Sequence, residues 1–130
     1  MSNLIPMSFN QNILDPTTLL AACGGDRVLL QKMIDSFRAT FPNHLSALRE
    51  AAQQKDEFSF RRIAHQLRGL TSNYSTSVAA QAAALEEMEA DQHIDPIMDR
   101  CETMIQLTRD LGDLLSVLTL EDLQRASRIQ

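Results

Sequence analysis

Apolar residues recur three and four positions apart through most of the chain, and this spacing predicts amphipathic helices. No segment alternates apolar and polar residues as a half-buried strand would. Long patterned stretches cover about residues 26–54, 56–74 and 95–118, and a shorter alanine-rich stretch covers about 77–88. We therefore predict an all-α fold, an antiparallel four-helix bundle with a short extra N-terminal helix and a short C-terminal helix.

Residues that start or break helices bound these stretches. Asp15-Pro16 and Asp95-Pro96 each place a capping carboxylate before a proline at the first helical position. Gly24-Gly25 should end the short N-terminal helix, and Pro42 should kink the second helix or begin a new helical segment. Further predicted caps are Asp26, Asp56, either Thr76 or Ser77, and a capping box formed by Thr119 and Asp122.

The length of 130 residues suits one domain with one hydrophobic core, and an apolar content of 44% is ordinary for a globular protein. We divide the chain into a lead-in over residues 1–12, the helical domain over 13–118, and a short helix or tail over 119–130.

Charge and composition argue against several classes of protein. A net charge of −5 disfavours a nucleic-acid binder. The N-terminus lacks the pattern of a secretory signal, and no apolar run is long enough for a membrane span. Cys23 and Cys101 lie in apolar stretches and are expected to be reduced core thiols. Together these features predict a cytoplasmic protein without a membrane or nucleic-acid partner.

The stretch 56–74 contains the candidate chemistry. On a helical wheel of about 100° per residue its apolar stripe gathers around Ile63, and His65 lies about 200° away, almost opposite. The other residues of this outer face are Phe58, Arg61, Arg68, Gly69 and Ser72.

Three features of this outer face are unusual for a solvated surface. Gly69 lies inside a helix, where glycine costs about 1 kcal/mol relative to alanine, and its missing side chain clears space beside the imidazole. Arg61 and Arg68, about one turn to either side of His65, would attract and orient an anionic phosphoryl group. His65 has no carboxylate or second histidine three or four positions away. Each feature alone has an ordinary explanation, but together they favour phosphate chemistry.

The hexapeptide Ala64-His65-Gln66-Leu67-Arg68-Gly69 resembles the signature of histidine-phosphotransfer (HPt) domains, in which Ala-His-x-Leu-Lys-Gly surrounds the phosphorylated histidine. Ser72-Asn73 continue the match, and Leu85-Glu86 resemble the Leu-Glu of the family's next helix. The resemblance covers residues 13–118. Arg68 replaces the usual lysine and keeps its charge, and Leu70 stands where the family prefers a small residue.

The resemblance implies a phosphocarrier of a two-component phosphorelay, without its own ATP site or kinase activity. Nε2 of neutral His65 would attack the aspartyl phosphate of a receiver domain, and the phosphoryl group would later pass to another receiver. The protein would need no cofactor, because the receiver supplies Mg²⁺. Its partners would be response-regulator receiver domains and a hybrid sensor histidine kinase. The supporting residues would be Arg61 and Arg68 for charge, Gly69 for access, and Gln66 and Ser72 for hydrogen bonds.

Two other functions stay open from the sequence. A helical adaptor or chaperone would need only the amphipathic helices, and would leave the outer face of His65 without chemistry. A metal-bearing bundle enzyme is disfavoured, because the Glu-x-x-His pairs of di-iron bundles are missing and His44 has no ligand one turn away. The chain is also compatible with a domain of a larger hybrid kinase. Its narrow apolar stripes predict a monomer.

Overall fold

The structure, a computed structural model, describes residues 13–87 and 94–129, without the side chains of 94–96 and 129. The described residues form helices and turns with no strand, as predicted. The predicted lead-in over 1–12, together with Met88 and His93, lies outside the described residues. The helices are α1 (Pro16–Cys23), α2 (Arg27–Gln53), α3 (Glu57–Thr71), α4 (Thr76–Glu86), α5 (Ile94–Val117) and α6 (Leu120–Ile129).

Side-chain caps fix where the helices begin. The carboxylate of Asp15 accepts a hydrogen bond from the backbone N–H of Thr18, and Asp26 and Asp56 cap α2 and α3 in the same way. At α6, the Thr119 N–H donates to the Asp122 carboxylate at 3.3 Å, and the Asp122 N–H donates to Thr119 Oγ1 at 3.0 Å. The predicted capping box is therefore confirmed, with Asp in the place of the usual Glu or Gln.

The turn between α3 and α4 differs from the prediction. The helix predicted over 56–74 ends at Thr71, and Tyr74 lies in the turn, buried, with its hydroxyl donating to the Met33 carbonyl at 2.9 Å. The predicted caps of α4, Thr76 and Ser77, are wrong. Ser75 is the cap, because its extended backbone lets its hydroxyl accept from the Val78 N–H at 3.1 Å.

Two proline positions also refine the prediction. α2 continues through Pro42, so no new helical segment begins there. α5 begins at Ile94, one residue before the predicted Asp95-Pro96 start.

Four helices form the predicted bundle. α2 packs against α3 and α5, and α4 packs against the same two helices, so α3 faces α5 across the bundle. The bundle core contains fifteen buried residues from these four helices, among them Phe60, Ala64 and Leu67 of α3. It therefore lies directly behind the outer face that carries His65.

A second cluster, the cap core, fills the space beyond the short α3–α4 hairpin. α2 has 27 residues and α5 has 24, whereas α3 has 15 and α4 has 11, so the longer helices extend past the hairpin. α1 and α6 pack together over these extensions. Leu120 and Leu123 of α6 are buried in this cluster. The predicted boundary at residue 118 stays a prediction, but α6 shares a core with the helices before it.

Cys23 and Cys101 are buried and unpaired, as expected for core thiols. Burial raises the pKa of the Cys101 thiol to about 12. Among the described residues, no helix has the length and apolar character needed to cross a membrane.

Phe41 lies at the junction of the two cores, where its ring covers Gly112 of α5. A Cβ atom at position 112 would lie 2.7 Å from Phe41 Cε2, whereas a Cβ atom at Gly69 would meet no described atom within 4 Å beyond the adjoining backbone of α3. Real Cβ atoms do not approach a ring carbon that closely, so the Phe41 ring would have to shift.

We predict opposite effects of alanine at the two helical glycines. Gly112→Ala should lower the free energy of unfolding by about 1–3 kcal/mol, because Phe41 must move. Gly69→Ala should raise it by about 0.5–1 kcal/mol, because alanine favours helix and meets no neighbour. Urea unfolding followed by circular dichroism measures both. Equal effects at the two positions would contradict the Phe41 packing.

Candidate functional site

α3 places its two faces in opposite environments. Phe60, Ala64 and Leu67 are completely buried in the bundle core. His65 lies on the opposite face, with 62% of its side chain exposed. The outward orientation predicted for His65 from the helical wheel is therefore present in the structure.

The imidazole of His65 is held from the side by two charged groups. Its Nδ1 lies 2.9 Å from Glu86 Oε2 and 3.2 Å from Arg68 Nη2. A single ring nitrogen cannot donate to the first and accept from the second at the same time. An ionised carboxylate only accepts and its contact, at 2.9 Å, is the shorter of the two, so we assign the proton to Nδ1. In neutral His65 the lone pair is then on Nε2.

Glu86 is the last residue of α4, and its side chain is only 25% exposed. Among the described residues its buried Oε1 atom accepts no hydrogen bond, and Arg68 Nη1 lies 3.4 Å away. The end of a helix is unfavourable for a carboxylate, because the last backbone carbonyls carry partial negative charge. Arg68 and His65 therefore supply the positive charge and the N–H that Glu86 needs.

Arg61, Gly69 and Ser72 lie on the same outer face, and among the described residues the imidazole has hydrogen bonds to none of them. Arg61 Nη2 forms an ion pair with Glu57 at 2.9 Å, one turn earlier in α3. The Ser72 hydroxyl donates to the Gly69 carbonyl at 3.1 Å. Gly69 leaves open space beside the helix, as expected for an access position. Gln66 points to another side, where it lines a small groove with His44 of α2.

A larger open groove of about 590 Å³ runs beside His65 toward the start of α3. Within it, Phe58 is 77% exposed, which is unusual for a large apolar side chain. No group of three or more His, Cys, Asp or Glu side chains that could hold a metal occurs in the described parts of the chain. The groove is lined by Glu57, Phe58, Arg61, Arg62, His65 and Glu86.

The local sequence pattern does not mark Glu86 as a site residue. It lies 21 positions after His65, so no local spacing relates the two. The available signal was the Leu85-Glu86 match to the family pattern. Phe58 was placed on the correct face, but its helical position alone indicated no role.

We predict that Glu86 fixes the tautomer of His65. Long-range ¹H–¹⁵N spectra should show neutral wild-type His65 with its proton on Nδ1, and Glu86→Leu should shift that population toward Nε2–H, because the acceptor is lost. His44 provides the internal control: its Nδ1 lies 3.2 Å from the Thr40 carbonyl, so its tautomer should not change in the variant. An unchanged His65 spectrum would show that Glu86 does not hold Nδ1.

The chain was compared with known families, curated proteins and solved structures. The family model named Hpt domain matches residues 32–124, which is more than two thirds of the 130-residue chain. The match includes His65, Arg68 and Glu86. No curated protein and no solved structure gives a match. The chain therefore belongs to the Hpt domain family, whose members are phosphocarriers of phosphorelays and not kinases.

Proposed function

We propose that His65 is the phosphorylated residue of this chain, accepting a phosphoryl group from the aspartyl phosphate of one receiver domain and donating it to another. The observation that carries the proposal is the contact between His65 Nδ1 and Glu86 Oε2 at 2.9 Å. It leaves the lone pair on Nε2, on a ring that is 62% exposed. A nucleophile oriented by a neighbouring acceptor is the arrangement required for covalent catalysis by histidine.

In the forward step, His65 Nε2 forms a bond to phosphorus and the bond from phosphorus to the aspartate oxygen breaks. The aspartate leaves as a carboxylate, and no proton needs to move, because Nδ1 keeps its hydrogen. The phosphorylated ring then carries a positive charge that faces Glu86. The return step to a second receiver reverses these bond changes. The chain itself supplies position and charge, the main requirements of loose phosphoryl transfer.

Two arginines of α3 would stabilise the transferred group. Arg68 already lies beside the imidazole, with Nη2 at 3.2 Å from Nδ1, and can turn outward toward phosphate oxygens. Arg61 would first have to leave Glu57, an exposed ion pair of the kind that contributes about 0–1 kcal/mol. We therefore assign Arg68 the larger role.

The remaining predicted site residues would act on the partner. Gly69 would let the receiver approach. The Ser72 hydroxyl donates within its own helix, and Gln66 lies by the groove shared with His44. Both would contact the receiver and not the imidazole.

The partners that follow from this proposal are response-regulator receiver domains and a hybrid sensor histidine kinase. Mg²⁺ would come with the receiver, and this chain would bring no cofactor of its own. The protein would work as a cytoplasmic monomer, and a net charge of −5 suits neither nucleic acid nor an anionic membrane surface as a partner.

We expect phosphotransfer to depend entirely on His65. The protein is incubated with receiver domains labelled at the aspartyl phosphate, and an acid-labile, alkali-stable label should appear on the wild type but not on His65→Gln. His44→Gln provides the matched control and should be labelled normally. Binding of several receivers without any transfer of label would favour the adaptor function instead.

We expect Gly69→Gln to block transfer without unfolding the bundle. A Cβ atom there has room among the described residues, and the longer glutamine should extend into the space beside the imidazole that a receiver needs. Labelling should fall at least tenfold while the circular dichroism spectrum and the urea midpoint stay near those of Gly69→Ala. Normal labelling of Gly69→Gln would show that this position does not control access.

A further inference from the structure

Phe58 lies in line with His65 on the exposed face of α3. The two residues are seven positions apart, so they share one side of the helix and are separated by about 10 Å along its axis. Phe58 is 77% exposed and belongs to neither core, whereas Phe60, two positions later, is completely buried. Packing among residues 13–87 and 94–129 therefore accounts for Phe60 but not for a phenylalanine at position 58.

The same groove joins Phe58 to the phosphorylation site. Phe58 and His65 line its length, with Arg61 and Arg62 between them. A standard protein interface covers about 800 Å² on each partner, which corresponds to a radius of about 16 Å. A receiver that brings its aspartyl phosphate to Nε2 of His65 over such an area must also cover Phe58.

We propose that Phe58 is an apolar anchor for the receiver domain and selects receivers with an apolar patch about 10 Å from their phosphorylated aspartate. The inference rests on the proposed function and extends it to partner choice. The arginines between Phe58 and His65 complement the negative charge of the aspartyl phosphate, so charge and apolar contact lie along one line. Aromatic side chains are enriched among residues that dominate binding energy at interfaces.

Phe58→Ala tests the proposal together with Val117→Ala, the matched control. Val117 is 60% exposed on α5, which lies across the bundle from α3. Phosphotransfer from a labelled receiver is measured over a range of receiver concentrations. Phe58→Ala should raise KM about tenfold with little change in kcat, and Phe58→Leu should recover part of the loss. Val117→Ala should leave both constants unchanged.

A small-molecule phosphodonor, phosphoramidate, separates this inference from the proposed function. It needs no docking surface, so it should phosphorylate His65 equally in the wild type and in Phe58→Ala. If neither donor labels the wild type, the proposed function is wrong. If the receiver labels the wild type and Phe58→Ala with the same KM, the carrier function stands and the anchor is wrong.

Sedimentation velocity tests whether a second copy of this chain, and not a receiver domain, covers Phe58. The wild type and Phe58→Ala should sediment as the same species at concentrations used for transfer. A wild-type dimer that Phe58→Ala converts to a monomer would overturn the proposal, because Phe58 would then serve self-association.

Discussion

The rotation of α3 about its own axis is the constraint on which the site depends. Phe60, Ala64 and Leu67 are completely buried between the neighbouring helices. Successive residues differ by about 100°, so a shift of one position would turn His65 away from the outer face and expose part of this stripe. Burying such side chains stabilises the fold by about 1.5–3 kcal/mol each for the larger ones. The orientation of the imidazole is therefore set by the core behind it.

The register of α4 supplies the second half of the site. Ser75 caps α4 at the end of a turn of only four residues, and eleven residues later the helix ends at Glu86, beside His65. A carboxylate at this end of a helix opposes the helix dipole. One of its oxygens is also buried and accepts no hydrogen bond from the part of the chain that the structure describes. Arg68 and His65 partly offset the unfavourable free energy of placing the Glu86 carboxylate there. Such a loss of stability is expected where residues are arranged for function.

Periodicity and caps were sufficient to predict the helices, their order and the outer face of α3, because these depend on neighbouring residues. They failed at Tyr74, which is buried although the helix ends at Thr71. Tyr74 follows Leu70 by four positions, so in the sequence it looks like the next residue of the helical apolar stripe. They also failed at Glu86. Its contact with His65 depends on where α4 begins and how it packs on α3, which local spacing does not encode. Only the family pattern pointed to that residue.

The exposed face of α3 departs twice from what stability alone favours. Gly69 gives up about 1 kcal/mol of helix propensity, and no neighbouring atom requires its small size. Phe58 leaves a large apolar ring in water and belongs to neither core of the described residues. The two residues lie on either side of His65: Gly69 lacks a side chain, and Phe58 exposes apolar surface. A surface that serves only solubility needs neither Gly69 nor Phe58. A partner that must reach Nε2 of His65 benefits from both, because its backbone can approach at Gly69 and it can bury apolar area against the ring of Phe58.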